Sequence, residues 1–499
     1  MKNFRLDQFQ YQIICDGECR DAKATFTQEP KSLSVDLTAK SDRPQYVRIE
    51  WTFESEEDLY VLGDAWERSY GELTFRKLSE NDRPMPWYFA ATNQKQTFCL
   101  GVQTQPNAFV CFRYSKNGIS ALIDCRSGGA GVRLNGRSVR LCTFVFHQEN
   151  KPPFESLRSF CRKLCEKPLL PQKPVYGGNN WYYAYGKSSY EEILRDARLQ
   201  KEVSEGIDNL PFMVIDDGWQ INSCAGPYEP NDRFRDMKAL AGDIKALGVR
   251  PGIWVRLLRD FSKEITDDMR IHRSGESTYL DPTHPAVQRY IREEIRKIRG
   301  WGYELLKHDF TTYDLFGKWG KDLADTITDP GDWHFMDDTK TNAEIVLDLY
   351  RLILEESGDM LIIGCNTISH LSAGLVHISR TGDDTSGREW ERTRKMGINT
   401  LAFRLVQNRA FYLVDADCVG IMEDNIPWEK NRQWLDLLSR SDTALFSSCA
   451  FLSDDQKEDM KKAYLEIQKG HELRPVDVYE NHIPNKWTDG KEEILYDWS

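Results

Sequence analysis

Polar and apolar residues alternate along the first 150 positions of the chain, with a period of two residues. The alternation is clearest in short runs such as 24–27, 34–37 and 46–51. Turn-forming sequences, among them Lys116-Asn117-Gly118, separate these runs. Period-two alternation interrupted by turns is typical of antiparallel strands with one buried face. The pattern therefore predicts an N-terminal β-sandwich over residues 1–150.

The apolar pattern changes to a helical period after residue 150. An amphipathic helix is predicted over 154–166, and three closely spaced prolines follow it at positions 168, 171 and 174. We therefore predict a linker helix and a proline-rich linker over residues 151–172. The apolar face of the helix consists of Phe154, Leu157, Cys161 and Leu164.

Strand-like and helix-like segments alternate from residue 173 to about residue 470. Eight short apolar runs, each bounded by polar or turn-forming residues, read as buried strands. This order predicts an α/β protein, with a (β/α)8 TIM barrel over residues 173–470 preceded by the N-terminal β-sandwich domain. A doubly wound open sheet could give a similar order, but no GxGxxG or P-loop sequence opens a helix. Residues 471–499 are expected to be a C-terminal tail, the remnant of a β-domain. The predicted strands are 175–184, 211–215, 251–255, 305–310, 360–366, 376–380, 411–415 and 443–447.

Composition and charge narrow the classes of partner. The formal net charge of -12 makes nucleic acid an unlikely partner, and no stretch approaches the roughly 20 apolar residues of a membrane span. No apolar signal core follows Met1, so we expect a cytoplasmic protein, or an exported one whose leader this sequence lacks. The 12 cysteines show no CxxC spacing and are expected to be buried thiols in a reducing compartment.

Charged residues gather where the predicted strands end. Lys307 and Asp309 follow an apolar run, and residues two apart in a strand point to the same face. In a TIM barrel the active site lies at these carboxyl ends, so we expect the charged groups to meet in one mouth. The strand ends are Asp216/Asp217, Trp254, Lys307/Asp309, Cys365/Asn366, Arg380/Asp384 and Asp415/Asp417.

Three chemistries suit such a group of carboxylates. Two carboxyl groups about 5–5.5 Å apart can carry out retaining glycoside hydrolysis, one as nucleophile and one as acid/base. Several carboxylates could instead hold Mg²⁺. Lys307 could form a Schiff base, but the neighbouring Asp309 would keep the amine protonated and unreactive. Hydrolysis is favoured, because Lys307 and Arg380 would compete with a metal ion.

Three motifs in combination resemble the α-galactosidases of glycoside hydrolase clan D, particularly family thirty-six. They are Asp216-Asp217-Gly218-Trp219, Lys307-His308-Asp309-Phe310 and Arg380-Thr381-Gly382-Asp383-Asp384-Thr385. The Gly63–Gly71 segment also looks like part of that family's N-terminal domain. The resemblance runs in order from about Leu62 to Cys449. Two departures are the early end of the chain, where the family usually has a C-terminal β-domain, and the first-strand sequence 179–185.

The resemblance implies a role for individual residues. Asp309 matches the nucleophile of the family, and Asp384 matches the acid/base. Asp383 is the alternative acid/base, because one branch of the family uses a Ser-Asp-x-Thr context. Sugar contacts are implied for Asp216, Asp217, Lys307 and Arg380, and pocket walls for Trp254, Cys365, Trp181 and Trp66.

These observations lead to the hypothesis of a retaining exo-α-galactosidase that acts on α-galactoside oligosaccharides without metal or cofactor. Related activities stay open, namely an α-N-acetylgalactosaminidase, a β-L-arabinopyranosidase or an α-galactosyl transglycosylase. A non-catalytic sugar-binding barrel and a metal-dependent lyase or isomerase are the rivals from other classes. Whether the chain forms a homo-oligomer is also open.

Overall fold

A computed structural model describes residues 4–55, 59–273, 278–423 and 425–499. Within these ranges, no helix combines the length and the apolar character that a bilayer crossing would require.

Two antiparallel sheets form the N-terminal part of the molecule and pack face to face. In the strand Ser32–Thr38, buried and half-buried residues alternate, as predicted from the period-two pattern. The Trp51 ring from one sheet meets the Phe144 ring from the other edge-on, at 5.4 Å between centroids. In spatial order, the first sheet contains Gln10–Cys15, Pro44–Thr52, Gly118–Asp124, Phe109–Ser115 and Met85–Pro86. The second contains Lys23–Glu29, Ser32–Thr38, Ser138–Glu149, Thr97–Val102, Tyr88–Thr92, Tyr60–Gly63 and Arg76–Lys77.

A parallel barrel follows, and its eight strands confirm the predicted fold class. Neighbouring strands pair in parallel throughout. The seventh strand has two parts, Leu413–Asp415 and Val419–Gly420; the first pairs with the sixth strand and the second with the eighth, which closes the ring. Barrel strands 1 to 8 are Tyr176–Asn179, Phe212–Ile215, Arg250–Val255, Leu305–His308, Leu361–Gly364, Ile378–Arg380, Leu413–Asp415 with Val419–Gly420, and Leu445–Ser448.

Helices connect the barrel strands and pack around them. The longest are Pro285–Gly300 and Asn342–Ser357, which contact each other and bury their apolar faces on the barrel. The other α-helices are Pro153–Leu164, Trp181–Ala184, Tyr190–Val203, Met237–Ala246, Thr311–Phe316, Ser369–Ser372, Trp390–Arg392, Thr400–Arg404, Trp428–Ser439 and Asp454–Ile467. Thr393–Asn399 is a π-helix, and short 3₁₀ turns cover Leu78–Glu80, Asp267–Met269, Gly320–Asp322 and Leu405–Gln407.

One local prediction differs from the structure near the first barrel strand. The strand predicted over 175–184 ends at Asn179, and Trp181–Ala184 forms a short helix. The Tyr182 amide donates a hydrogen bond to the Ser448 hydroxyl at 2.8 Å. An extended chain would not place the Tyr182 amide against Ser448 in the same way. The next helix, Tyr190–Val203, is capped by Ser189, whose hydroxyl accepts a hydrogen bond from the Glu192 amide.

The cysteine prediction is wrong for one pair. Cys15 and Cys19 form a disulfide beside the turn that follows the first sandwich strand. The other ten cysteines are free, and all but Cys224 are buried, as expected for packed thiols.

The C-terminal residues form a small three-stranded antiparallel sheet, Arg474–Pro475, Lys486–Thr488 and Glu493–Leu495. Trp487 and Trp498 are buried, and the Trp390 indole donates a hydrogen bond to the Trp498 carbonyl at 3.1 Å. This segment therefore packs against the barrel as an ordered unit. The proposed domain limits at 150, 172 and 470 stay predictions.

Candidate active site

The carboxyl ends of the barrel strands surround a cavity of about 260 Å³. Loops after barrel strands 1, 2, 3, 4 and 6 supply most of its walls, and the sandwich loop Gly63–Gly71 supplies the rest. Sites for drug-sized ligands span about 300–1,000 Å³, so this cavity suits a ligand of roughly one sugar ring. Its lining residues are Arg68, Tyr70, Trp181, Tyr182, Asp216, Asp217, Cys224, Trp254, Lys307, Asp309, Phe310, Trp319, Lys321, Asp383 and Asp384.

Barrel strand 4 places Asp309 in the cavity wall. The Trp254 indole donates a hydrogen bond to one carboxylate oxygen at 3.1 Å, and the Phe310 amide donates to the other at 2.7 Å. The Asp309 amide itself donates to the Val255 carbonyl at 3.0 Å, which extends the pairing with strand 3. His308 lies on the other side of the strand, as its alternation predicts, and burial lowers its pKa to about 4. Asp309 is thus an aspartate fixed at both oxygens.

Lys307 pairs directly with Asp216 rather than with Asp309. Its ammonium donates to Asp216 Oδ2 at 2.7 Å, and the Asn179 side-chain amide donates to the same oxygen at 2.7 Å. Burial acts to lower the pKa of Lys307, but the Asp216 carboxylate and other nearby groups raise it well above its ordinary value. The amine is therefore held as a cation, which disfavours Schiff-base chemistry.

Asp217 faces a hairpin that follows barrel strand 2. Its carboxylate accepts bonds from the Gln220 side chain at 2.7 Å, the Cys224 amide at 2.8 Å and the Ser223 hydroxyl at 3.0 Å. Burial raises the pKa of Asp217 despite these donors. A carboxylate offers about four acceptor sites, so Asp217 keeps capacity for one further donor from the cavity.

Asp384 follows barrel strand 6 and is surrounded by cations. Arg380 donates to Asp384 Oδ1 at 3.1 Å, and Arg68 Nη1 lies 3.6 Å from the same oxygen. Burial acts to raise the pKa of Asp384, but the charges of Arg380, Arg68 and Lys307 outweigh it and hold the pKa below its usual value. These cations therefore favour the ionised form of the Asp384 carboxyl group. The side chain is 40% exposed, so its carboxyl faces the open cavity.

The neighbouring Asp383 is held more tightly. Its carboxylate forms ion pairs with Arg68 at 3.2 Å and with Arg392 at 3.0 Å, and its side chain is only 19% exposed. Both Asp383 and Asp384 line the cavity, but Asp384 is the more accessible of the two.

A buried network supports Arg380 and Asp384 from below. Arg380 donates to Asp417 Oδ2 at 2.9 Å. The same Asp417 carboxylate accepts bonds from the Thr385 amide at 2.8 Å and from the Tyr182 hydroxyl. Burial raises the pKa of the adjacent Asp415 to about 6. The strand-7 acids predicted from the sequence therefore lie under the cavity and orient the groups that line it.

The sandwich loop Gly63–Gly71 reaches across to the barrel and contributes a cation that the sequence did not reveal. The Ser69 amide donates to the Thr381 carbonyl at 2.9 Å, and the Asp383 amide donates to the Ser69 carbonyl at 2.9 Å. This pairing places Arg68 against both Asp383 and Asp384. The unusual mix of charged and aromatic residues in this loop was the feature of the sequence that could have pointed to Arg68.

Other predicted wall residues divide into two groups. Trp181 and Trp254 line the cavity as expected. Trp66 does not: its indole donates to the Ala324 carbonyl at 2.9 Å and packs edge-on against Trp87, so the prediction of a pocket wall is wrong. Cys365 is also fully buried behind the lining, and the Asp309 charge helps to raise its thiol pKa, although burial is the main cause. Sequence reasoning missed further lining residues: Tyr70, Tyr182, Cys224, Phe310, Trp319 and Lys321.

Comparison with known proteins gives a match in structure only. No protein-family model matches the sequence. No curated protein matches it.

Solved structures of similar architecture include several glycoside hydrolases. An α-galactosidase from Thermus thermophilus in complex with stachyose is 18% identical, with a TM-score of 0.64 over 91% of this chain and 99% of that chain. A GH36 α-galactosidase from Geobacillus stearothermophilus is 14% identical, with a TM-score of 0.64 over 97% of this chain and 79% of that chain. A GH31 dextranase from Flavobacterium johnsoniae in complex with glucose is 11% identical, with a TM-score of 0.57 over 95% of this chain and 67% of that chain. The chain therefore has the fold of the GH36 α-galactosidases, a β-rich N-terminal part followed by a TIM-like barrel.

Proposed function

We propose that this protein is a retaining exo-α-galactosidase that hydrolyses terminal α-galactosyl residues by double displacement. The observation that carries the proposal is that Asp309 and Asp384, from barrel strands 4 and 6, line one cavity sized for a single sugar ring. Two carboxyl groups that face one ring are the minimum equipment for retaining hydrolysis.

Asp309 is proposed as the nucleophile. Hydrogen bonds from the Trp254 indole and the Phe310 amide fix its carboxylate, so little reorientation is needed for attack at the anomeric carbon. The attack forms a covalent bond between Asp309 and the galactosyl group and breaks the bond to the leaving oxygen.

Asp384 is proposed as the acid/base. As acid it gives its proton to the leaving oxygen, and as base it later takes a proton from the water that hydrolyses the galactosyl–enzyme. Its lowered pKa suits the second step directly. For the first step, a sugar ring that covers the 40% exposed side chain would remove water and raise the pKa. The greater exposure of Asp384 favours it over Asp383.

Galactose selection is assigned to Asp216, Asp217 and Lys307. Asp216, Asp217 and Lys307 form a fixed ion-pair and hydrogen-bond cluster in the cavity wall. Charge-assisted bonds from such a cluster to an axial 4-hydroxyl and to the 6-hydroxyl would distinguish galactose from its epimers.

A panel of aryl glycosides tests the proposal. The wild-type protein should hydrolyse the α-galactoside in preference to the β-L-arabinopyranoside and the α-N-acetylgalactosaminide. Asp309→Asn should lower kcat by roughly 10⁴-fold or more, because no carboxylate remains to form the intermediate. Asp325→Asn is the matched control, since Asp325 pairs with Arg113 outside the cavity. Unchanged turnover by Asp309→Asn would refute the proposal.

The same panel separates the rivals. Preference for one of the other two glycosides would reassign the substrate, and galactose binding without turnover would indicate a sugar-binding barrel. Activity that is lost in a chelator and restored by Mg²⁺ would indicate metal-dependent chemistry. Transfer of galactose to an added sugar, seen by product analysis, would indicate a transglycosylase.

A further inference from the structure

A second, larger cavity lies on the same face of the barrel as the proposed active site. It is a groove of about 880 Å³ bounded by segments that follow barrel strands 1, 7 and 8. We call it the outer groove. Its principal walls are Tyr183, Met422, Trp428 and Phe451, and its polar rim includes Glu423 and Asn425.

Phe451 forms an aromatic platform in the outer groove. Its side chain is 75% exposed, yet the Arg195 guanidinium lies 4.9 Å from its ring centre. Arg195 is held in turn by Asp196 at 2.8 Å, and the Tyr183 hydroxyl also donates to Asp196. The exposed ring therefore rests on a guanidinium that is fixed by partners of its own, which reduces the entropy that a bound ligand would have to remove.

The outer groove lies next to the acid/base side of the catalytic cavity. Tyr182 lines the cavity and Tyr183 lines the groove, so adjacent residues of one short helix form a wall of each. Gly387, three residues after Asp384, packs between them: a Cβ added there would lie 2.3 Å from the Tyr182 carbonyl oxygen and 3.1 Å from Met422 Cγ. The acid/base loop is thus continuous with the groove wall.

This arrangement has a directional consequence. The acid/base residue protonates the leaving oxygen, so the leaving group must depart past Asp384. Sugar units attached to that oxygen would then extend over the acid/base loop and towards the outer groove. Aromatic faces supply apolar contact to sugar C–H groups, while the exposed Glu423 and Asn425 at the rim supply hydrogen-bonding groups.

We propose, resting on the proposed function, that the outer groove binds the sugar units on the leaving-group side of an α-galactosyl oligosaccharide. The preferred substrates are then galactosides that carry two or more further sugar units, rather than galactosides of small alcohols. Phe451 is the residue that determines this preference for length.

The test compares α-galactosyl fluoride, which has no sugar on the leaving side, with α-galactosyl di-, tri- and tetrasaccharides. In the wild-type protein, kcat/KM should rise with oligosaccharide length. Phe451→Ala should lower kcat/KM for the tetrasaccharide by about two- to tenfold, chiefly through KM, and leave the fluoride unchanged. Phe451→Tyr should restore the wild-type preference, because it returns an aromatic face.

Phe261→Ala is a closely matched control. Phe261 is also an exposed phenylalanine, 49% accessible, and it also carries an arginine, Arg259, at 4.9 Å from its ring centre. It lines neither the outer groove nor the catalytic cavity. This variant should keep the length preference of the wild-type protein.

Three results would overturn the groove proposal alone: no gain with length in the wild-type protein, an equal loss on the fluoride in Phe451→Ala, or the same loss in Phe261→Ala. Dimerisation through Phe451 would also overturn the groove proposal. Its sign would be a change of mass in Phe451→Ala, measured by light scattering, without any change in the preference for oligosaccharide length. If the wild-type protein turned over neither the fluoride nor any oligosaccharide, the proposed function would fail first, and the groove proposal with it.

Discussion

The buried ion pair between Asp64 and Arg404 helps to join the sandwich loop to the barrel, and its removal gives the sharpest structural test. Asp64 belongs to the loop Gly63–Gly71, and Arg404 belongs to the helix Thr400–Arg404. Arg404 Nε lies 3.0 Å from Asp64 Oδ1, and both side chains are buried. Arg404 also donates to the Thr381 carbonyl at 2.8 Å, three residues before Asp384. The Asp64→Asn variant removes the charge and keeps the size of the side chain.

The expected loss in the free energy of unfolding follows from the distance between the charged groups of Asp64 and Arg404. Two unit charges 3.0 Å apart attract by about 5.5 kcal/mol at an effective dielectric constant of about 20. Removal of one partner from a buried pair costs roughly 3–5 kcal/mol, because the other charge stays buried. Burial raises the pKa of Asp64 despite Arg404, so desolvation of the carboxylate outweighs this attraction, and the expected cost comes from the Arg404 charge that is left buried without its partner. The remaining carbonyl partners of Arg404 lower the cost further, and we therefore expect about 3 kcal/mol.

Urea and thermal unfolding followed by circular dichroism measure this loss. An unfolding entropy of about 2.1 cal/mol/K per residue gives about 1 kcal/mol per °C for a chain of 499 residues, so the midpoint should fall by roughly 3 °C. Glu18→Gln is the control, because its ion pair with Arg20 is exposed on both sides and contributes little. A loss of stability below about 1 kcal/mol would refute the reasoning.

Two further predictions concern the acid/base residue. Arg68→Met should move the basic limb of the kcat/KM profile to higher pH, because removal of a cation 3.6 Å from Asp384 raises the pKa of an acid that must be protonated to act. Arg113→Met, outside the cavity, should leave the limb in place. A shift to lower pH in Arg68→Met would contradict the assignment. Asp384→Ala should lower activity on oligosaccharides by at least about 10²-fold. It should retain the first step on α-galactosyl fluoride, because the fluoride leaving group needs little protonation. An equal loss of the first step on the fluoride would contradict the role of Asp384 as acid.

The strands and helices were predictable because the period of the hydrophobic residues and the residues at the strand ends are both local features of the sequence. Asp216, Asp217, Lys307, Asp309 and the strand-6 acids were located in this way, since parallel strands bring their carboxyl ends to one face. The structure confirms the sandwich and the eight barrel strands that place them.

What could not be predicted depends on contacts between distant segments. Arg68 lies far from the barrel in sequence and reaches Asp384 only through the pairing of Ser69 with Thr381. The lowered pKa of Asp384 needs three cations from three segments, and no local stretch of the sequence brings these cations together. The helix Trp181–Ala184 was predicted as strand because its aromatic residues favour strands, whereas the hydrogen bonds that Tyr182 donates to Ser448 and Asp417 decide its conformation.

The central claim is that Asp309 becomes covalently bonded to galactose. The most direct measurement is mass spectrometry of the protein after reaction with 5-fluoro-α-galactosyl fluoride, whose ring fluorine slows both steps while the anomeric fluoride still leaves readily. The account predicts a single added glycosyl group, mapped by peptide sequencing to Asp309 and absent from the Asp309→Asn variant. A label on another carboxylate, or no label on a protein that hydrolyses α-galactosides, would contradict it.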